Sequence, residues 1–269
     1  MELSIKLRRG LPAGSHWWVE QREARRLLRT LGQPITADVV TIVPTFRRPR
    51  LLEQAVGSAL AQPIDDHHVV VVDDGGGDIP EFAEPRVTVL RLSRNTGCAG
   101  LVRNVGIRCS ASRYVAFLDD DNRWRPDHLP TALRGLTEGV DLVYTGLRRA
   151  WPDGREVDAL TVPFNRDLLR RWSYVDTSAI VVRRRERLRF SRLHRGLGTV
   201  PGEDWEFVFR LTRRGEARYL DRITVDYLVH TGSYFTDWLS SEVTWHTRPG
   251  GNPEAPVLSH EIDDPDLQP

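Results

Sequence analysis

The run YVAFLDDDNRWRPDH at residues 114–128 decides the fold class. Tyr114 to Leu118 are apolar without interruption, the pattern of a strand covered on both faces. Three carboxylates follow at once: Asp119, Asp120 and Asp121. Like charges this close repel, so some would take up protons unless a cation neutralised them. Mg²⁺ and Mn²⁺ favour oxygen ligands, and Mg²⁺ takes one or two carboxylates plus substrate phosphates. An Asp-rich stretch also suits a plain solvated turn. The buried-type strand in front of it favours the metal.

Working outward, Val39–Val43 reads as an earlier strand, followed by a helix over Pro49–Ala61 with proline in its first turn. His68–Val72 and Arg86–Leu92 read as strands, Ala99–Cys109 as a helix, a further helix starts near Asp127, and Asp141–Thr145 is a strand. This alternation predicts an α/β fold, a mainly parallel sheet with helices on both faces. Ligands of such a sheet bind outside the carboxyl ends of its strands. There the sequence puts Pro44-Thr45-Phe46-Arg47, Asp73-Asp74-Gly75-Gly76 and the acid run, so three polar clusters line one edge. Asp73 and Asp74 suit either a turn before the glycines or hydrogen bonds to a base or ribose. No G-x-G-x-x-G follows the first strand and no P-loop lysine follows Gly75–Gly77, which argues against nicotinamide, flavin and P-loop chemistry.

Beyond Ala150 the alternation loosens. WPDGR at 151–155 signals a turn, Thr177–Val182 a strand, Glu203–Arg213 a helix and Ile223–Val229 a late strand. Upstream, 17–31 suggests an amphipathic helix with Trp18, Leu27, Leu28 and Leu31 on its apolar side, packed on the main domain or on a partner. Four segments follow: an N-terminal extension (1–37), a ligand-binding half (38–150), a second half (151–236) and a loose Pro/Gly/acid tail (237–269). A net charge of +1 gives no reason to expect a nucleic-acid partner. Cys98 and Cys109 have no zinc-site spacing, and no apolar run is long enough for a signal peptide or a membrane span. The chain therefore reads as soluble and cytoplasmic. A homodimer is left open.

In order and spacing, VVTIVPTFRRPRLLEQAVGSALAQ, VVVVDDGG, LSRNTGCAGLVRNVGI and YVAFLDDDNRWRPDHL resemble the N-terminal half of family 2 glycosyltransferases of the GT-A fold. Glu203-Asp204 extends the match. The resemblance implies a Rossmann-like nucleotide-sugar half and a smaller C-terminal acceptor-side region. It implies a UDP-sugar donor (hexose or N-acetylhexosamine) met by Pro44, Thr45, Phe46, Arg47, Asp73, Asp74 and Arg103, with Phe46 standing where the family usually has Tyr. Asp121 would hold a divalent cation, Mg²⁺ or Mn²⁺. Asp119 would share in that or, with Asp120, touch ribose or sugar, and His230 would complete the shell. Asp204, with Glu203 beside it, would be the general base of an inverting, nonprocessive transfer to a hydroxyl or amine. Acids at a helix start are also favourable on dipole grounds alone.

The acceptor is the open term. Trp151, Trp172, Tyr174, Trp205, Tyr234, Phe235 and Trp238 offer faces for a sugar or aromatic ring, although most Trp residues are core. The seven arginines between Arg183 and Arg195 suit a solvated face or the docking of an acidic carrier protein bearing the acceptor. A small-molecule or carrier-bound acceptor, as in natural-product biosynthesis, fits better than a polymer. Polysaccharide or glycoconjugate building and a non-catalytic nucleotide-sugar binder are the alternatives.

Overall fold

The structure, a computed structural model, describes residues 10–171, 173–192, 202–213 and 215–229. The chain runs through α1 (Gly10–Leu31), β1 (Ile35–Thr45), α2 (Pro49–Leu60), β2 (His67–Asp73), β3 (Val87–Arg91), α3 (Ala99–Arg108), β4 (Ser110–Phe117) and β5 (Asn122–Trp124). It continues through α4 (His128–Gly135), β6 (Val140–Ala150), β7 (Glu156–Leu160), α5 (Arg166–Leu169), a 3-10 turn (Thr177–Ala179), β8 (Ile180–Arg183), α6 (Glu203–Leu211) and β9 (Glu216–Leu228).

Among the described residues the strands form one sheet in the order β3-β2-β1-β4-β8-β6-β9-β5, with β7 on β6. The longest ladders, β1 with β2, β1 with β4 and β6 with β9, are parallel. β4–β8, β6–β8, β6–β7 and β5–β9 are short antiparallel pairs. The α/β class read from the sequence is the one observed. Val39, Val40, Ile42, Val43, Val69–Val72 and Val115–Phe117 are fully buried, which is why these strands read as unbroken apolar runs. α2 covers one side with Leu52, Ala55, Val56 and Ala59 at helical spacing.

α3 is buried from Gly100 to Ile107 because α1 packs over its outer side. The sequence-based face of α1 needs correction. Leu27 is buried, but Trp18 is 65% exposed. The inner face is completed by Glu20, Gln21 and Glu23, whose side chains bond Asn104, Arg108 and Ser93. An apolar periodicity cannot reveal a face that packs through satisfied polar groups.

Farther along, Phe190 and Phe207 stack with centroids 4.0 Å apart, and Phe117 meets both edge-on. This aromatic cluster ties α6 to β4. The expected turn at 151–155 closes the β6–β7 hairpin through the Trp151 N–H donating to the Arg155 carbonyl (2.9 Å). Among the described residues no helix is long and apolar enough to cross a membrane. Trp172, His194, Arg195, His230, Tyr234, Phe235, Trp238 and the tail lie outside the described residues.

Candidate active site

Register brings the strand ends together. Thr45 pairs with Asp73 across β1 and β2, and the Asp74 N–H donates to the Thr45 carbonyl (2.9 Å). β4 ends beside them, with the Leu118 N–H donating to the Ile42 carbonyl (3.1 Å). Outside these ends lies a cavity of about 460 Å³. Pro44, Thr45, Phe46, Asp74, Arg103, Asp119, Asp120, Asp121, Glu203 and Asp204 all line it.

Two sequence candidates do not. Asp73 turns into its own loop, its carboxylate accepting from the Gly76 N–H (2.7 Å) and Gly77 N–H (3.0 Å). Gly75 makes this turn possible: its φ is +74°, and a Cβ there would lie 2.4 Å from the Arg94 carbonyl carbon. Arg47, with φ +56°, folds its guanidinium over the Phe46 ring at 5.1 Å and is not on the cavity wall. That left-handed residue redirects the chain, so Arg48 faces inward instead. Arg48 Nη1 donates to Asp120 (3.1 Å) and Asp121 (2.8 Å).

The acid run is thus three different environments. Asp120 also accepts from the Thr45 hydroxyl (2.7 Å), and burial pushes its carboxyl up to about 6 against that hydrogen bond, with Asp121 adding repulsion. Asp119 is the most open of the three and is gripped by Arg103. Asn122, next after the acid run, is buried. Its amide donates to Ser178 Oγ (2.9 Å) and its carbonyl accepts from the Leu228 N–H (3.3 Å). A carboxylate cannot play both parts.

Arg103 links the two halves of the cavity. It donates to Asp119 and to Glu203 (3.3 Å), with its guanidinium 5.2 Å from the centre of the Phe190 ring. Burial disfavours its charge, but Asp119 and Glu203 outweigh that and hold its pKa above the ordinary arginine value. Its Nε has no partner among the described residues. Glu203 is buried against this guanidinium, whereas Asp204, next in α6, is partly exposed at the cavity.

Asp74 is held firmly. Its carboxylate accepts from Thr96 N–H (2.9 Å), Thr96 Oγ1 (2.8 Å) and Gly97 N–H (3.0 Å), while burial raises its pKa against these bonds. Cys98 also lines the cavity. Burial pushes its thiol up to about 11, so it is no thiolate nucleophile.

Sequence reasoning missed Arg48, Asn95, Asp176 and Tyr227 on the wall. Asp176 caps the 3-10 turn by accepting from the Ser178 N–H (2.8 Å). Burial, then the charge of Asp119, pushes its carboxyl well above the carboxylate range. Its sequence context, Asp two residues before Ser, is ordinary turn chemistry and gave no signal. The described aromatic acceptor candidates, Trp151, Tyr174 and Trp205, are off the cavity wall: Tyr174 is buried with its hydroxyl on Asn165, and Trp205 Nε1 donates to the Leu169 carbonyl (2.6 Å). The described part of the basic stretch divides, with Arg185, Arg187 and Arg189 exposed and the rest held by backbone or acids. Arg183 donates to the Leu136 and Thr137 carbonyls, Arg184 to the Ile107 carbonyl, Arg185 to Asp141 and Arg192 to Glu20.

Asp119 and Asp121 suit a divalent cation in donor chemistry. Both are hard oxygen donors, and two guanidinium groups already lie on the run, which shows its pull on positive charge. Among the described residues no three acidic, histidine or cysteine side chains are grouped as a metal cage.

The glycosyl transferase family 2 model matches residues 40–192. The succinoglycan biosynthesis protein ExoW of Rhizobium meliloti is 32% identical over 112 residues, 38% of this chain and 34% of that protein. The chain spans about a third to a half of the length of the first curated relatives it matches. Among solved structures, Staphylococcus aureus TarS 1–349 in complex with UDP-GlcNAc superposes with a TM-score of 0.56 at 18% identity, covering 77% of this chain and 62% of that one. The mannosyltransferase PcManGT of Pyrobaculum calidifontis, in complex with GDP-Man and Mn²⁺, gives 0.51 at 18%, covering 84% and 69%. At these identities the structures speak for the fold, which is that of GT-A transferases. The family match itself runs from inside β1 to Arg192, across the ends of β1, β2 and β4 that line the cavity, and by it the chain belongs to glycosyl transferase family 2.

Proposed function

We propose that the chain moves a sugar from a UDP-sugar to a hydroxyl of a growing glycan held on a carrier, with inversion at the anomeric carbon. One observation carries this reading. A single cavity gathers the ends of β1, β2 and β4 and the start of α6, so donor-side and acceptor-side carboxylates face the same space. Residues 38–150 would take the donor and 151–236 the acceptor.

Asp74 and the Pro44–Phe46 segment would hold the nucleotide. Asp121 and Asp119 would hold a divalent cation, and that cation would supply neutralising charge for the leaving diphosphate. Arg48 and Arg103 would keep the acid run in position. Asp204 would take the acceptor's proton as its oxygen attacks, since Glu203 is already committed to Arg103. In-line attack opposite the departing diphosphate would give a β-linked product from an α-linked donor. A glycan acceptor is favoured over a free small molecule because the relative ExoW is named for succinoglycan biosynthesis. TarS, solved with UDP-GlcNAc, supports the UDP donor, and PcManGT, solved with GDP-Man and Mn²⁺, supports the cation while supplying the rival nucleotide.

Two measurements test this. In thermal shift with UDP and GDP, with and without Mn²⁺, stabilisation by UDP that needs Mn²⁺ is expected. Preference for GDP overturns the donor, and indifference to metal overturns the cation. Asp204→Asn should lower turnover by about 10²–10⁴-fold while nucleotide binding persists. Unchanged turnover in that variant removes the base assignment.

A further inference from the structure

α1 presents two faces of opposite chemistry. Both of its carboxylates between His16 and Leu31 turn into the protein, each 1% exposed. Glu20 accepts from Asn104 (2.9 Å) and Arg192 (2.6 and 2.9 Å). Glu23 accepts from Ser93 N–H (3.1 Å), Ser93 Oγ (2.6 Å) and Arg26 (2.7 Å). The outward stripe is Trp18, Arg22, Arg25 and Arg29, spaced four, three and four residues apart and all exposed. Trp17 adjoins it at 38% exposure, its ring 4.5 Å from that of Trp18 in an edge-to-face pair. The helix has buried its acids and left arginines and indoles facing solvent.

We infer that α1 lays this face on an anionic membrane surface. Indole rings sit stably at headgroup level, where one side is apolar and the other wet. Arginines along the same stripe meet lipid phosphates, and amphipathic helices with Trp on one part and Arg on another bind in the interface plane. The row of arginines rules out insertion across the bilayer. An acidic protein patch would satisfy the arginines, but it leaves the solvent-facing indole pair without a reason. The position also serves the site. Glu23 fixes Ser93, and the loop runs from there through Asn95 and Gly97, which line the cavity. The inference rests on the helix alone and goes beyond the transfer reaction.

The test is co-sedimentation of the full chain with phosphatidylcholine vesicles, with and without phosphatidylglycerol, in the absence of donor and acceptor. Binding should require phosphatidylglycerol and weaken on going from about 0.1 M to about 0.5 M salt, as screening shortens the reach of the charges. Reversing Arg22, Arg25 and Arg29 to Glu should weaken it at least 100-fold, about fivefold for each positive charge lost. Trp17→Ser with Trp18→Ser should weaken it by at least about tenfold. Arg170→Glu, an exposed arginine beside α5, should change it little, and Asp204→Asn not at all. Equal pelleting with both vesicle types overturns the proposal. So does undiminished binding by a triple variant that melts like wild type, or self-association with no vesicle binding. Since no sugar is transferred in the assay, such a failure leaves the transfer reading standing.

Discussion

Arg103 shows how far one side chain organises this site. Its guanidinium links the acid run to the start of α6, and it is buried with Glu203. Removing one partner of a buried ion pair leaves the other charged in a dry place, which costs about 3–5 kcal/mol. Arg103→Gln should therefore lower unfolding free energy in urea by about that much. Arg103→Lys should rescue it only partly, because one ammonium lacks the two-armed fork that reaches both acids. Replacing Arg103 and Glu203 together by Met should recover most of the loss, without restoring transfer. Additive single effects in that cycle would mean the pair is not coupled. At this scale the sequence was informative where a residue follows a strand end, as with Thr45, Asp74 and Asp119–Asp121. It was silent on Arg48 and Asp176, because which of two adjacent arginines faces in depends on one positive φ, and a capping Asp looks like any other.

At the scale of elements, α3 and α6 meet at a glycine. A Cβ on Gly100 would lie 2.1 Å from the Ser191 carbonyl oxygen and 3.3 Å from Glu203 Cβ and Cγ. Alanine normally stabilises a helix interior over glycine by about 1 kcal/mol. Here the obstacle is backbone, so overpacking of about 1–3 kcal/mol should reverse the sign. Gly100→Ala should lower the melting temperature and, by shifting Glu203, the turnover. Gly57→Ala in α2, where nothing lies within 4 Å, should raise the melting temperature. Equal shifts from the two substitutions would show that close approach at Gly100 carries no weight. The legible elements were those with a clear period or an apolar run: β1, β2, β3, β4, β6, α2, α3, α4, α6 and the β6–β7 turn. β5, β7 and α5 were not anticipated, being three to five residues long and held mainly by pairing with distant partners. The late strand was expected from Ile223, yet β9 begins at Glu216. Its first residues are half polar, and their parallel pairing to β6 is a long-range fact.

For the molecule as a whole, pH sets two buried histidines against three acids whose pKa burial has raised. His67 and His128 bond Thr41 and Thr224 through one nitrogen each, and burial lowers their pKa to about 4 and about 3. In the unfolded chain a histidine titrates near 6.5. The unfolded state therefore binds more protons between these values, and stability conferred by the neutral rings is present above about pH 6.5 and lost as pH falls. Each contributes a slope of about 1.4 kcal/mol per pH unit between its folded and unfolded pKa. Asp120, pushed up to about 6, with Asp74 and Asp176, also raised, pull the other way: the folded state holds their protons where the unfolded chain has released them. The net curve of the wild-type protein is flattened by this opposition, so the informative quantity is a difference. His67→Gln and His128→Asn keep an amide nitrogen near the bonded position while removing the titration. The double variant should track wild type at pH 7.5 apart from a constant offset. By pH 5 it should have gained roughly 2 kcal/mol per histidine relative to wild type, read from urea midpoints. Parallel curves down to pH 5 would mean that both rings are protonated as readily in the folded protein as in the unfolded chain, and that burial in this sheet does not hold them neutral.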